Sequence, residues 1–168
     1  KNFLVTASDC RVPAPNSDFE LKFGDGAAAF LIGDSDIAIE VEGSHTISSE
    51  FMDIWRREED RFVHTWEERF VVTHGYLELM EETVSKLFKK YNVTAKDFTK
   101  AVFSAWDSRR HAEIARKLGF DPKTQLQNPL LTTVGHTGVA SAPMMLVAAL
   151  EEAKPGDRIL FVNYGDGA

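Results

Sequence analysis

The chain opens on "NFLVTAS" (2–8), an apolar run rich in strand-forming side chains, which predicts a strand. "VPAPNS" (12–17) breaks the pattern with two prolines and reads as a loop. "FGDGAAAFLIG" (23–33) is a glycine turn followed by small and apolar residues, the pattern of a buried strand. In "DIAIEVEGSH" (36–45) apolar and polar positions alternate with period two, which predicts a strand with one wet face. Residues 46–72 are dense in aromatic and charged side chains, as in "DIWRREEDRF" and "HTWEERF", and show no clean period. They are expected to form an irregular excursion with short helical pieces.

From Gly75 the period changes. Leu77, Met80, Val84, Leu87, Phe88 and Tyr91 fall on one face at helical spacing, with Glu78, Glu81, Glu82, Lys86, Lys89 and Lys90 opposite. The acids lead and the bases trail, which suits the helix dipole. "YNV" ends this helix, and Thr94 with Asp97 forms a capping pattern for a brief turn. "KAVFSAW" (100–106) predicts a strand. Asp107 is placed to cap the helix "SRRHAEIARKLGF", and Gly119 to stop it. "DPKTQLQNPLLTTVG" is an extended connection. A last helix, from about 138 to 153, stops at "KPGD", and "RILFVNYG" reads as a fully buried strand. Helices alternating with apolar strands indicate an α/β fold with a layered sheet and right-handed crossovers, organised as one domain over 1–168.

Composition changes this picture little, and charge somewhat more. Hydrophobic residues make up 43% and charged residues 27%, which is globular rather than disordered. Nineteen Lys and Arg against 26 Asp and Glu give a net charge of −7, which argues against nucleic acid as a partner. A single cysteine, Cys10, excludes an internal disulfide and favours a reducing, cytoplasmic setting. No apolar run is long enough to span a membrane. The chain begins on Lys1 and enters a strand pattern at once, so a piece of a longer polypeptide is expected.

Three segments together resemble the thiolase superfamily, in the branch of ketoacyl-acyl-carrier-protein synthase III and HMG-CoA synthase. "FGDGAAAFLIG" resembles that branch's glycine–aspartate–glycine–alanine strand. "AWDSRRHAEIARKLGF" is similar to the helix after its catalytic histidine. "VGHTGVAS" with "ALEEAKPGDRILFVNYGDGA" is similar to its last helix, turn and glycine loop. The family fold is two similar βαβαβαββ halves in a five-layer sandwich. The resemblance implies a thiolase-like layered α/β/α half-fold, the second repeat, incomplete at both ends, with residues 46–72 as an insert shaping the acyl-CoA approach. It also implies an acyltransferase that makes or breaks a carbon–carbon bond between acyl thioesters. The nucleophilic cysteine would lie in the N-terminal half of the same enzyme. Coenzyme A or an acyl-carrier thioester would be the substrate, with no covalently bound cofactor. A homodimer and a small zinc-ribbon/OB-fold partner protein are further implications, as is the rival reading of a non-catalytic thiolase-like subunit.

Several residues carry the implied chemistry. His136 stands where the synthase III branch usually has asparagine, at the mouth of the last helix. It would hold the cysteine as thiolate and bond an acyl oxygen or exchange a proton with it. A loop histidine satisfied by backbone would look the same in sequence. Ser104 lines up with the family's usual catalytic histidine, and serine cannot titrate near neutral pH as imidazole does. It reads equally as an ordinary strand-end residue. Gly165, Asp166 and Gly167 match the glycine turn whose backbone N–H helps form the family's oxyanion hole, and glycine permits the backbone such a turn requires. Asp166 departs from the glycine or serine usual there. Arg109 matches an arginine that touches CoA phosphates, and Arg56 beside Trp55 could grip phosphate and stack on adenine. Each of these three would otherwise be a solvated surface residue. Cys10 follows a strand rather than preceding a helix, so it lacks an activating setting. "GDG" (24–26) lacks the lysine and helix of a phosphate loop. His45, His64, His74 and His111 show no metal-ligand spacing, and His111 is expected on a helix surface.

Overall fold

A computed structural model describes residues 1–165. Strands β1 (Phe3–Asp9) and β2 (Gly26–Ile32) pair antiparallel, from Phe3 opposite Ile32 to Asp9 opposite Gly26. A two-residue antiparallel ladder, β3 (Ile54–Trp55) with β4 (His64–Thr65), lies within residues 46–72. Helix α1 (Glu68–Phe70) continues through a π-helical stretch, Val71–Leu77, into α2 (Glu78–Tyr91). Then come β5 (Lys100–Phe103), α3 (Ser108–Lys117), α4 (Ser141–Glu152) and β6 (Ile159–Val162). β5 and β6 are parallel, from Lys100 opposite Ile159 to Phe103 opposite Val162.

β5 separates two apolar layers because successive side chains of a strand point to opposite faces. Ala101 and Phe103 pack with Tyr76, Met80 and Val84 of the long helix and with Ile114 and Ala115 of α3. Val102 packs on Ala142, Met145 and Ala149 of α4. The result is helix–sheet–helix, the α/β/α layering expected. Phe120 sets its ring against Phe103 edge-on at 5.6 Å between centroids. Fully burying a side chain of this size is worth about 1.5–3 kcal/mol.

The caps follow the sequence closely. The Asp107 carboxylate accepts from the Arg110 N–H at 2.8 Å. α3 gives way to Gly119 at φ 89°, and α2 ends at Asn92 at φ 52°. Thr94 and Asp97 form a reciprocal capping box. Asp97 accepts two hydrogen bonds from Thr94, backbone first, and these hold its carboxyl below the usual range.

Five expectations are corrected. Residues 36–45 form no strand. Asp36 takes φ 53°, and the Ser44 carbonyl accepts from the Tyr91 hydroxyl and the Lys90 ammonium, both at 3.0 Å. This segment therefore spends backbone bonding capacity on the end of α2, and Ile37, Ile39 and Val41 stay exposed. The long helix begins at Glu68 rather than after Gly75, with Glu67 accepting from the N–H groups of Arg69 and Phe70. The π-helical stretch next to it breaks the 3.6-residue period on which the sequence reading relied. β2 is not buried along its length: Leu31 and Ile32 are exposed, and cover comes where Gly26 meets Thr137 and Met144. β6 alternates instead of being buried throughout, with Leu160 and Val162 inside and Phe161 half-exposed. His111 is buried, not on the surface. Among the described residues no helix is long and apolar enough to cross a membrane.

Candidate active site

The C-terminal ends of β5 and β6, the mouth of α4 and the π-helical stretch converge on one cavity. Arg11, Asp53, Tyr76, Ser104, Trp106, His136 and Tyr164 are among the residues lining it. Two residues singled out in the sequence, His136 and Ser104, are thus brought together.

His136 is fixed first through its backbone. Its N–H donates to the Lys22 carbonyl at 2.7 Å, and its carbonyl accepts from the Gly24 N–H at 3.2 Å. Gly24 permits this approach, since a Cβ there would overlap the Val134 carbonyl. The glycine of "GDG" therefore serves close backbone packing. Gly135 supplies φ 87° just before the histidine. The half-buried ring lies 6.0 Å from the Phe23 ring and 6.2 Å edge-on from Trp106. The Gly138 N–H donates to His136 Nδ1 at 3.2 Å. A nitrogen that accepts carries no proton, so the neutral ring carries its proton on Nε2.

The mouth of α4 holds a carboxylate that the sequence reading did not single out. Gly138 takes φ 54°, and a side chain there would overlap the Asp9 carboxylate. Asp9 Oδ2 accepts from the Val139 N–H at 3.2 Å and pairs with Arg11 Nε at 2.9 Å.

Ser104 ends β5. Its hydroxyl accepts from the Tyr164 N–H at 2.8 Å and donates to Asn163 Oδ1 at 3.0 Å. The Ser104 carbonyl accepts from the Tyr76 hydroxyl at 2.6 Å. Burial, with the Asp107 charge second, pushes the Tyr76 phenol well above its ordinary value, so it acts as a donor. Tyr164 sets its ring edge-on against Tyr76, 5.6 Å between centroids, and donates its hydroxyl to Asp53 Oδ2 at 2.8 Å. Asp53 is buried, and its other oxygen accepts from the Ile54 N–H at 2.6 Å. Gly165 comes directly after Tyr164 and is exposed. Asp166 and Gly167 lie outside the described residues.

The remaining candidates lie apart from this cavity. Arg109 is exposed on the first turn of α3 and does not line it. Arg56 is exposed, and Trp55 on β3 stacks with His64 at 6.0 Å and packs on Trp66 at 5.0 Å. The cavity-lining Trp106 donates from its indole nitrogen to Glu68, which also pairs with Lys22. Those bonds, Trp106 first, hold the Glu68 carboxyl below its ordinary value. Cys10 is exposed, and the Asp25 carboxylate, by hydrogen bond and then by charge, raises its thiol pKa, the opposite of nucleophile activation. His111 stands edge-on to Phe103 and hydrogen-bonds to its backbone. Desolvation lowers its pKa to about 4, and its Nε2 has no hydrogen-bond partner among the described residues. No group of three His, Cys, Asp or Glu among the described residues could hold a metal ion.

Asp9, Asp53, Tyr76 and Tyr164 escaped the sequence reading because each bonds a residue distant in the chain, and Arg11 because its pairing with nearby Asp9 fits no motif. Tyr164 alone left a signal, an aromatic residue directly before the glycine turn.

Comparison with known proteins places the fold. A family model described as 3-oxoacyl-[acyl-carrier-protein (ACP)] synthase III C terminal matches residues 88–168. A hydroxymethylglutaryl-CoA synthase of Aeropyrum pernix is 37% identical over 167 residues, covering 98% of this chain and 46% of its own length. The enzyme of the same name from Methanopyrus kandleri is 32% identical over 165 residues, covering 98% and 47%. The chain thus spans about half the length of the curated relatives it matches. Among solved structures, an HMG-CoA synthase complexed with CoA superposes with a TM-score of 0.81 at 22% identity, over 98% of this chain and 46% of that one. The 3-oxoacyl-[acyl-carrier-protein] synthase III of Aquifex aeolicus superposes with 0.79 at 20% identity, over 99% and 55%.

Proposed function

We propose, from the premise that this chain belongs to the thiolase-like superfamily, in its synthase III and HMG-CoA synthase branch, that it forms the C-terminal part of an acyl-CoA C-acyltransferase. The observation that carries the reading is the cavity where His136 and Ser104 meet the residue that precedes the glycine turn. A cysteine thiolate from outside this chain attacks an acyl thioester and displaces the CoA thiolate. One of the two thioesters then loses an α-proton to a base supplied by the part of the enzyme outside this chain. The carbanion so formed adds to a carbonyl carbon of the other, and the resulting oxyanion takes up a proton. Each addition loads negative charge on an oxygen, and the family resemblance assigns its stabilisation to a backbone N–H of the Gly165–Asp166–Gly167 segment.

His136 works here as a donor. Nδ1 accepts from the Gly138 N–H, so Nε2 is the ring nitrogen through which His136 donates to a substrate oxygen. That is the service an asparagine amide renders at the same position in the synthase III branch. Arg109, and Arg56 with Trp55, belong to a CoA-binding surface outside the cavity. The enzyme is a cytoplasmic homodimer and works with a small zinc-ribbon/OB-fold protein.

The test uses the full-length polypeptide with acetyl-CoA and acetoacetyl-CoA. His136→Ala lowers kcat by about 10²–10³, the usual cost of losing one oxyanion donor. His136→Asn keeps most of the activity. Equal losses in the two variants, or no loss in either, refute the donor role. A second reading, a non-catalytic thiolase-like subunit, draws on Ser104, whose hydroxyl is committed to Tyr164 and Asn163. Absence of acyl transfer by the intact protein would favour it.

A further inference from the structure

We infer that Ser104 and Asp53 are positioning residues that grip Tyr164 from two sides and so aim the backbone N–H of the next residue, Gly165. The functional half of this inference rests on the acyltransferase reading; the structural half stands alone.

The β5–β6 ladder ends at Phe103 opposite Val162. One more bond extends it, from the Ser104 N–H to the Val162 carbonyl at 3.0 Å. Beyond it the chain must reach Gly165 without a partner strand. The Ser104 side chain takes over where the ladder stops. Its oxygen accepts the Tyr164 N–H at 2.8 Å while its proton goes to Asn163 Oδ1 at 3.0 Å. A hydroxyl can accept and donate at once, which suits it to hold two consecutive residues. Ser104 is itself held, since its carbonyl accepts the Tyr76 hydroxyl.

The second grip comes from a different part of the chain. Tyr164 donates its phenol to Asp53 Oδ2 at 2.8 Å. Asp53 is immobilised by the Ile54 N–H on its other oxygen and by Thr65, whose hydroxyl donates to the Asp53 carbonyl at 2.8 Å. The approach also needs Gly75 bare, because a Cβ there would lie 2.8 Å from the Tyr164 hydroxyl. Tyr164 is thus clamped at its backbone by β5 and at its ring tip by the segment leading into β3. An oxyanion donor works only within about 2.7–3.1 Å of the charge it meets, so the Gly165 N–H loses its aim when Tyr164 before it is released. The residue aligned with the family's catalytic histidine has, in this chain, a holding role.

The test uses Ser104→Ala, Ser104→Thr and Asp53→Asn in the full-length polypeptide, with folding checked by circular dichroism. Amide hydrogen exchange in the peptide covering 162–165 is expected to quicken roughly tenfold in Ser104→Ala and Asp53→Asn, as when one buried hydrogen bond is lost. Exchange in β1 should not change. With acetyl-CoA and acetoacetyl-CoA, kcat should fall by roughly 10- to 100-fold, below the loss for deleting a donor outright, with KM for acetyl-CoA unchanged. Ser104→Thr, which keeps the hydroxyl, should recover both properties. The double variant should lose less than the product of the single losses, because both act through Tyr164. Unchanged exchange at 162–165 in both variants overturns the clamp. Quickened exchange with unaltered kcat in an active enzyme overturns the aiming role. Should the unaltered protein transfer no acyl group, the acyltransferase reading falls, and the exchange data alone decide the clamp.

Discussion

The layer built on β5 and the front of the chain, residues 1–45, contain equally apolar strands and use them differently. Phe103 is fully buried, closed in by helices on the same chain. Leu31, in a run just as hydrophobic, is 69% exposed, as are Phe3, Leu4 and Val5 in large part. The difference lies in the segment after each strand. β5 is succeeded by an amphipathic helix that folds back on it, whereas β2 is succeeded by an acidic, turn-rich segment that does not. An apolar strand therefore predicts burial only when its own chain supplies the cover.

This contrast can be broken by measurement. In the 168-residue chain, Phe103→Ala should cost about 3–5 kcal/mol in urea denaturation, whereas Leu31→Ala should stay within about 0.5 kcal/mol. Comparable losses at the two positions would erase the distinction. The next effect is the acid sensitivity of the layer. The folded-state pKa of His111, about 4, lies below its ordinary value of 6.5, so the unfolded chain binds the extra proton first. Stability from this group is complete above pH 6.5, declines as pH falls toward 4, and levels off below. The full loss is roughly 3 kcal/mol. His111→Leu should flatten the stability profile between pH 6.5 and 4, and an unchanged slope there would show that the ring is not the titrating group. The smallest effect is local: Asp107→Ala should cost about 1 kcal/mol through the lost cap of α3, readable as a lower urea midpoint at constant slope.

The same contrast explains what could be read from the sequence. α3 was legible because amphipathic period, cap and stop residue agreed, α2 through its apolar stripe and its end at Asn92, and α4 through an apolar run that stops at "KPGD". The place of His136 was legible through its flanking glycines. The start of the long helix was hidden by the π-helical stretch, which shifts the period. The alternation at 36–45 misled because period two reports which faces are wet, not whether a neighbouring strand exists. His111 misled because an imidazole next to two arginines looks solvated, while its neutral form packs against Phe103. The clamp on Tyr164 was beyond reach, since Asp53, Tyr76, Ser104 and Tyr164 meet only through tertiary packing.

The bare α-carbon of Gly138 has a consequence for how such a chain can vary. Any side chain there would displace the Asp9 carboxylate from the entrance of α4, and with it the ion pair to Arg11 and the bond to Val139. The side chain at position 9 and the glycine at 138 therefore constrain each other, while position 139 contributes only its backbone N–H. A random library drawn at 138 alone should return glycine. Alternatives should surface only where position 9 has first been made smaller, so the route by which this helix entrance evolves runs through the opposite end of the chain.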